Sequence, residues 1–147
     1  MSHDDAVKFF AAQQEEWTAR DAGALALRHA ETGTIVSPIF RTVEGRQEIL
    51  ESYQALFATF PDWDFRATRL IVDGDRVAQE FTVHATHTRE FMGLAGSGRT
   101  FDIEGVLIFE IEDGLIRFER RYYDFTGLLI QLGILRGKPA RPDTPPA

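Results

Sequence analysis

Between Asp4 and about Arg20, apolar positions recur at helical intervals. Val7, Phe10, Ala11 and Trp17, with Gln14 among them, make one stripe. Asp21 is placed to cap a second, shorter helix that runs to about His29, with Leu25 and His29 on one face. Gly33 breaks that pattern, and Thr34-Ile35-Val36 is a short strand closed by Ser37-Pro38. The clearest helix spans residues 44 to 60, where Ile49, Tyr53, Leu56 and Phe60 share a stripe widened by Leu50 and Phe57. Pro61 stops it. The period then changes to two. Trp63, Phe65 and Ala67 alternate with Asp64, Arg66 and Thr68, as in a half-buried strand. Asp73-Gly74-Asp75 turns the chain into a strand from Arg76 to Thr88, and a glycine-rich loop follows from Gly93 to Gly98. A third strand runs from about Arg99 to Ile111. Glu112-Asp113-Gly114 leads into a fourth, which ends at Asp124. Leu128, Leu129, Leu132 and Leu135 return to helical spacing.

Helices first, then consecutive antiparallel strands, then a closing helix define an α+β fold, not a parallel βαβ one. Long amphipathic helices need an apolar surface to rest on. A curved sheet wrapped around them makes a cone with a pocket at its open end. One domain over residues 1–136 is expected, followed by a proline-rich tail over 137–147 that is expected to be disordered.

Charge and composition narrow the partners. A net charge of -7 argues against nucleic acid and against anionic membranes. No apolar run reaches the roughly 20 residues that span a bilayer. The beginning of the chain lacks the basic and apolar regions of a signal peptide, so a cytoplasmic location is expected. With no cysteine there is no disulfide framework and no thiol chemistry.

The candidate chemistry gathers at the end of the fourth strand. Ile116, Phe118, Arg120, Tyr122 and Asp124 share one parity and are expected on one face. A lone carboxylate, with a phenol and a guanidinium beside it, then stands where sheet meets helix. Asp124 is either a proton-transfer group in an apolar pocket or the N-cap of the closing helix. His84 and His87 are an odd number of residues apart, so a strand sends them to opposite faces and no metal is expected. His87 shares the parity of Phe81, Val83 and Ala85, as a core histidine or a pocket donor. The glycine loop lacks the lysine and the following helix of a phosphate cradle. No serine sits in a nucleophile-elbow context. Phe57, Phe60, Trp63 and Phe65 are core or the wall of a pocket.

The ordered set Trp17-Thr-Ala-Arg-Asp21, Val43-Glu-Gly-Arg-Gln-Glu-Ile49, Phe60-Pro-Asp-Trp-Asp-Phe65, Thr86-His-Thr-Arg-Glu-Phe-Met-Gly93, Tyr122-Tyr-Asp124 and Gly127-Leu-Leu-Ile-Gln-Leu-Gly133 resembles the SnoaL-like polyketide cyclases, or ester cyclases, of the NTF2-like superfamily. The resemblance covers most of residues 10 to 135. It implies an NTF2-like cone that forms a homodimer through its sheet. It implies a catalytic aspartate at the position of Asp124, a pocket histidine at His87, and no cofactor. Tyr122, Arg120, Trp17, His29, Tyr53, Phe57, Trp63 and Phe91 are then expected around a small apolar carbonyl-containing ligand. The implied reaction is proton abstraction followed by intramolecular aldol closure. A non-catalytic small-molecule binder, or isomerase, dehydratase or epoxide hydrolase chemistry, would use the same pocket. The chain departs from the pattern at Thr88-Arg89-Glu90-Phe91, at Gly96-Ser97-Gly98, at His29 and at Ser37-Pro38, so the substrate does not transfer with the resemblance.

Overall fold

The structure, a computed structural model, describes residues 1–141. Helix α1 (His3–Ala19) begins at a capping box in which Ser2 and Asp5 satisfy each other's backbone amides. Its buried stripe is Ala6, Phe10, Gln13 and Trp17. The expected stripe is thus rotated by one position, and Val7 and Ala11 face outward. Helix α2 (Ala22–Leu27) is capped by Asp21 and buries Leu25 and Ala26. It stops before His29, which opens strand β1 (His29–Ser37). Strand β2 (Arg41–Glu44) returns along β1 and was not legible in the sequence pattern. Helix α3 (Arg46–Thr59) buries Ile49, Tyr53 and Leu56, the stripe expected of it.

Strands β3 (Asp64–Asp73), β4 (Arg76–Thr86), β5 (Thr100–Glu112) and β6 (Leu115–Tyr123) form an antiparallel meander, and helix α4 (Phe125–Gln131) closes the chain. The six strands lie in the order β2-β1-β6-β5-β4-β3, and only the β1–β6 pair is parallel. The fold is therefore α+β, with helices on one face of an open, mostly antiparallel sheet. Residues 137–141 carry no helix or strand, and the rest of the expected tail lies outside the described residues.

The register of β6 decides where its side chains go. Glu110 faces Phe118 and Ile111 faces Ile116, so Arg117 is an extra residue in β6 and makes a bulge. A one-residue slip sends every later side chain to the other face. Ile116 is buried before the bulge. After it the inward residues are Glu119, Arg121 and Tyr123, not Phe118, Arg120, Tyr122 and Asp124. Cross-strand partners agree: Phe109 and Leu107, both buried, stand opposite Glu119 and Arg121. Opposite Tyr123, Gly105 leaves no room for a side chain, because a Cβ there would collide with the Tyr122 backbone carbonyl and press on the Phe81 ring at 3.0 Å.

Candidate functional site

A narrow cavity of about 20 Å³, room for about one water, runs between the helices and the inner face of the sheet, so a larger guest must displace the side chains that line it. Trp17 of α1, Leu56 of α3 and Trp63, just ahead of β3, line it beside Phe65, Phe81, Val83, Ile103 and Leu107 of the sheet. Ser37, Ile39 and Phe40, from the end of β1 and the connection to β2, form a further side. Arg121 and Tyr123 of β6, with Ser37, bring polar groups to its lining. Trp17 stacks on Phe65 with centroids 4.5 Å apart, and Phe65 stacks on Phe81 at 5.2 Å. The walls are thus flat and aromatic. Such walls favour a planar guest, because ring faces bury area with little loss of side-chain freedom.

Behind the cavity lies a buried polar quartet. Arg121 donates through Nε to Glu119 and through Nη2 to the Tyr53 hydroxyl at 3.3 Å. His29 Nε2 stands 3.0 Å from the same hydroxyl and 3.8 Å from Glu119 Oε1. The guanidinium also lies over the rings of Tyr53 and Trp17, at 5.4 and 5.7 Å from their centroids. His29 and Glu119 are almost wholly buried. A buried carboxylate is tolerated only when paired, and Arg121 is its pair. Arg121 lines the cavity, and its Nη1 has no protein acceptor among the described residues.

The protonation states follow from burial. Burial lowers the His29 pKa to about 4, against the opposing pull of Glu119, so the ring is neutral near pH 7. Burial pushes the Tyr53 phenol up, with Glu119 adding to the effect. Burial likewise pushes Tyr123 up, opposed by Arg121 and the Ile39 backbone, so it stays a hydroxyl. Burial works against the charge on Arg121, but Glu119 outweighs it and the guanidinium stays protonated. Six atoms of this region lack a partner among the described residues: Trp17 Nε1, Trp63 Nε1, His29 Nδ1, Glu119 Oε1 and both the amide nitrogen and oxygen of the Gln13 side chain.

The sequence-derived candidates are dispersed, and few of them reach the cavity. Trp17 and Trp63 line the cavity. Tyr53 and His29 stand one layer behind it, in contact with Arg121 and Glu119. Phe57 packs its ring on Trp17 and Tyr53, away from the cavity, and Phe91 packs on Phe60 and His87. Arg120 and Tyr122 are exposed on the opposite sheet face, a correction imposed by the bulge. His87 is buried, but its ring atoms are engaged with Ser97 Oγ at 2.9 Å and the Leu94 carbonyl at 3.3 Å. It pins the glycine loop and does not line the cavity. His84 lies on the outer face, 2.8 Å from Asp102.

Asp124 is exposed and accepts a hydrogen bond from the Gly127 amide at 2.8 Å, as the N-cap of α4. The expected interior carboxylate is therefore found at the surface, one residue beyond Tyr123. Asparagine caps as well as aspartate, whereas alanine cannot. Asp124→Ala is expected to lower stability by about 1 kcal/mol and Asp124→Asn to leave it nearly unchanged, as read by urea denaturation.

The residues that sequence parity did not bring forward are Glu119, Arg121 and Tyr123. One signal was present: Glu119 and Arg121, two apart on a strand, are an opposite-charge pair on one face.

Helices on one face of a mostly antiparallel six-stranded sheet, with an apolar cavity between, define an NTF2-like fold. The SnoaL-like polyketide cyclase family model matches residues 9–132, and the chain belongs to that family. No curated protein matches the sequence. Among solved structures, AclR from Streptomyces galilaeus, a candidate hydroxylase, superposes with a TM-score of 0.80 at 22% identity over 94% of this chain and 91% of its own. IdmH from Streptomyces antibioticus, a candidate polyketide cyclase, superposes with a TM-score of 0.75 at 26% identity over 89% of this chain and 99% of its own. TerC, co-crystallised with polyporic acid, superposes with a TM-score of 0.74 at 17% identity over 88% of this chain and 98% of its own.

Proposed function

We propose that this protein binds a small, planar, apolar carbonyl compound in the cavity and, as a cofactor-independent acid/base enzyme, promotes its intramolecular aldol closure. One observation carries the reading: Arg121, whose Nη1 has no acceptor among the described residues, and the un-ionised Tyr123 both line the aromatic cavity. An enolate oxygen is what such donors stabilise, and they do so before reaction without reorganising. The pairing of TerC with polyporic acid is in keeping with a flat, oxygen-bearing guest in this scaffold. Asp124 directly follows Tyr123, a cavity residue, in the chain. To serve as the base it must release Gly127 and turn inward. The family resemblance supports that role, and the sheet face opposite the helices is where a homodimer would form.

A second reading, a non-catalytic binder, is favoured by a specific feature: among the described residues no carboxylate lines the cavity. The two readings separate in deuterium oxide. With an aromatic 1,3-diketone as substrate, the enzyme reading expects deuterium incorporation between the carbonyls above the buffer rate, followed by NMR. It expects Asp124→Asn to slow exchange at least tenfold, in the range typical of general base loss, while binding is unchanged. Saturable binding with no exchange above buffer would instead establish the binder.

A further inference from the structure

We propose that the site takes its ligand as a planar acid in two parts, an oxyanion set against Arg121 and a proton lodged on the buried His29–Glu119 pair. This rests on the cavity being the ligand site, and it adds the charge state of the guest.

The quartet as it stands is neutral overall: the Arg121 cation and the Glu119 carboxylate cancel, and His29 is uncharged. A guest anion at Arg121 Nη1 would bring net negative charge into an apolar, buried setting. Low-dielectric surroundings make that costly unless a compensating charge enters with it. The pair offers the place. Glu119 Oε1 is a buried acceptor with no donor, and it lies 3.8 Å from His29 Nε2. A proton taken up by this pair restores neutrality, and closing the 3.8 Å gap would give Oε1 its missing donor.

The surroundings permit this uptake. Facing the pair are Tyr53, whose hydroxyl contacts both His29 and Arg121, and Arg121 itself. Arg46 of α3 donates to the His29 carbonyl at 2.8 and 3.0 Å and disfavours a second positive charge nearby. Glu16 of α1, further off, is committed to Arg28 at 2.6 Å. Tyr123 faces Arg121 from the cavity side. Without a guest, burial, aided by Arg121 and Arg46, keeps His29 neutral. A guest anion cancels the Arg121 part of that opposition and adds its own attraction for a proton on the pair. Binding and protonation are then linked, and each promotes the other.

The test is calorimetric titration with 4-hydroxycoumarin, a planar enol that is ionised at neutral pH, and with 4-methoxycoumarin, which cannot ionise. Each titration is run near pH 7 in phosphate and in Tris, whose ionisation enthalpies differ widely. The expected result is uptake of close to one proton per 4-hydroxycoumarin bound and none for the methoxy compound. The Kd of 4-hydroxycoumarin should weaken about tenfold per pH unit in the alkaline direction, the slope that one linked proton requires. In Glu119→Gln the charge on Arg121 is no longer cancelled, so uptake and pH dependence should both vanish while the anion still binds. Circular dichroism establishes that the variant is folded, and the wild-type proton count stands without it. Tight binding of the anion with no proton uptake would overturn the inference and leave the cavity reading intact, as would binding of the methoxy compound alone. Failure of both compounds to bind would overturn the inference together with the reading on which it rests.

Discussion

Arg121→Met is expected to abolish ligand binding and to destabilise the fold by about 3–5 kcal/mol, the cost of leaving a buried carboxylate unpaired. Glu119 is 1% exposed and has Arg121 as its ion-pair partner. Removing only the guanidinium therefore strands a charge inside the core. The double variant Arg121→Met with Glu119→Leu removes both charges and is expected to recover most of that stability, since apolar replacement of a buried pair is often neutral or better. Binding should not recover, because the donor that faces the cavity is gone. Equilibrium denaturation with titration of the same samples separates the two effects. Recovery of binding along with stability would mean that Arg121 acts only as structural ballast.

Acid stability gives the second large effect. The folded-state pKa of His29, about 4, lies below the ordinary 6.5 because burial disfavours the charged ring. The unfolded chain therefore binds the extra proton first as pH falls. The contribution of neutral His29 is fully present above pH 6.5 and is lost progressively down to about pH 4. The interval corresponds to about 3 kcal/mol. Wild type should thus lose about that much more stability across this window than His29→Gln, whose side chain can still meet the Tyr53 hydroxyl but cannot titrate. Parallel acid-denaturation curves for the two proteins would remove His29 as the cause.

What the sequence revealed and what it hid have separate physical causes. The stripe of α3 was legible because Ile49, Tyr53 and Leu56 depend only on helical period, which is local. The opposite faces of His84 and His87 were legible because strand alternation is local too. The end of α2 was not. His29 begins a strand because it pairs with Ile116 of β6, a partner far along the chain. The short β2 depends in the same way on β1. The bulge at Arg117 had the greatest consequence. Nothing in Leu115-Ile116-Arg117-Phe118 announces an extra residue, since it arises from how β6 fits β5 on one side and β1 on the other. Uninterrupted alternation placed Arg120, Tyr122 and Asp124 inside. The actual register exchanges them for Glu119, Arg121 and Tyr123. Asp124 itself was legible in its other role, since an aspartate ahead of Phe-Thr-Gly-Leu-Leu is a cap by composition and is a cap in the structure.

The protein contains two tryptophans, and both line the cavity. Neither indole Nε1 has a hydrogen-bond partner. A ¹H–¹⁵N spectrum of the full chain therefore carries two indole signals that report directly on the proposed site. Titration with 4-hydroxycoumarin should move both signals saturably, with the Arg121 Nε signal moving in step. Saturable binding that leaves both indoles and Arg121 unmoved would place the ligand elsewhere and contradict the account.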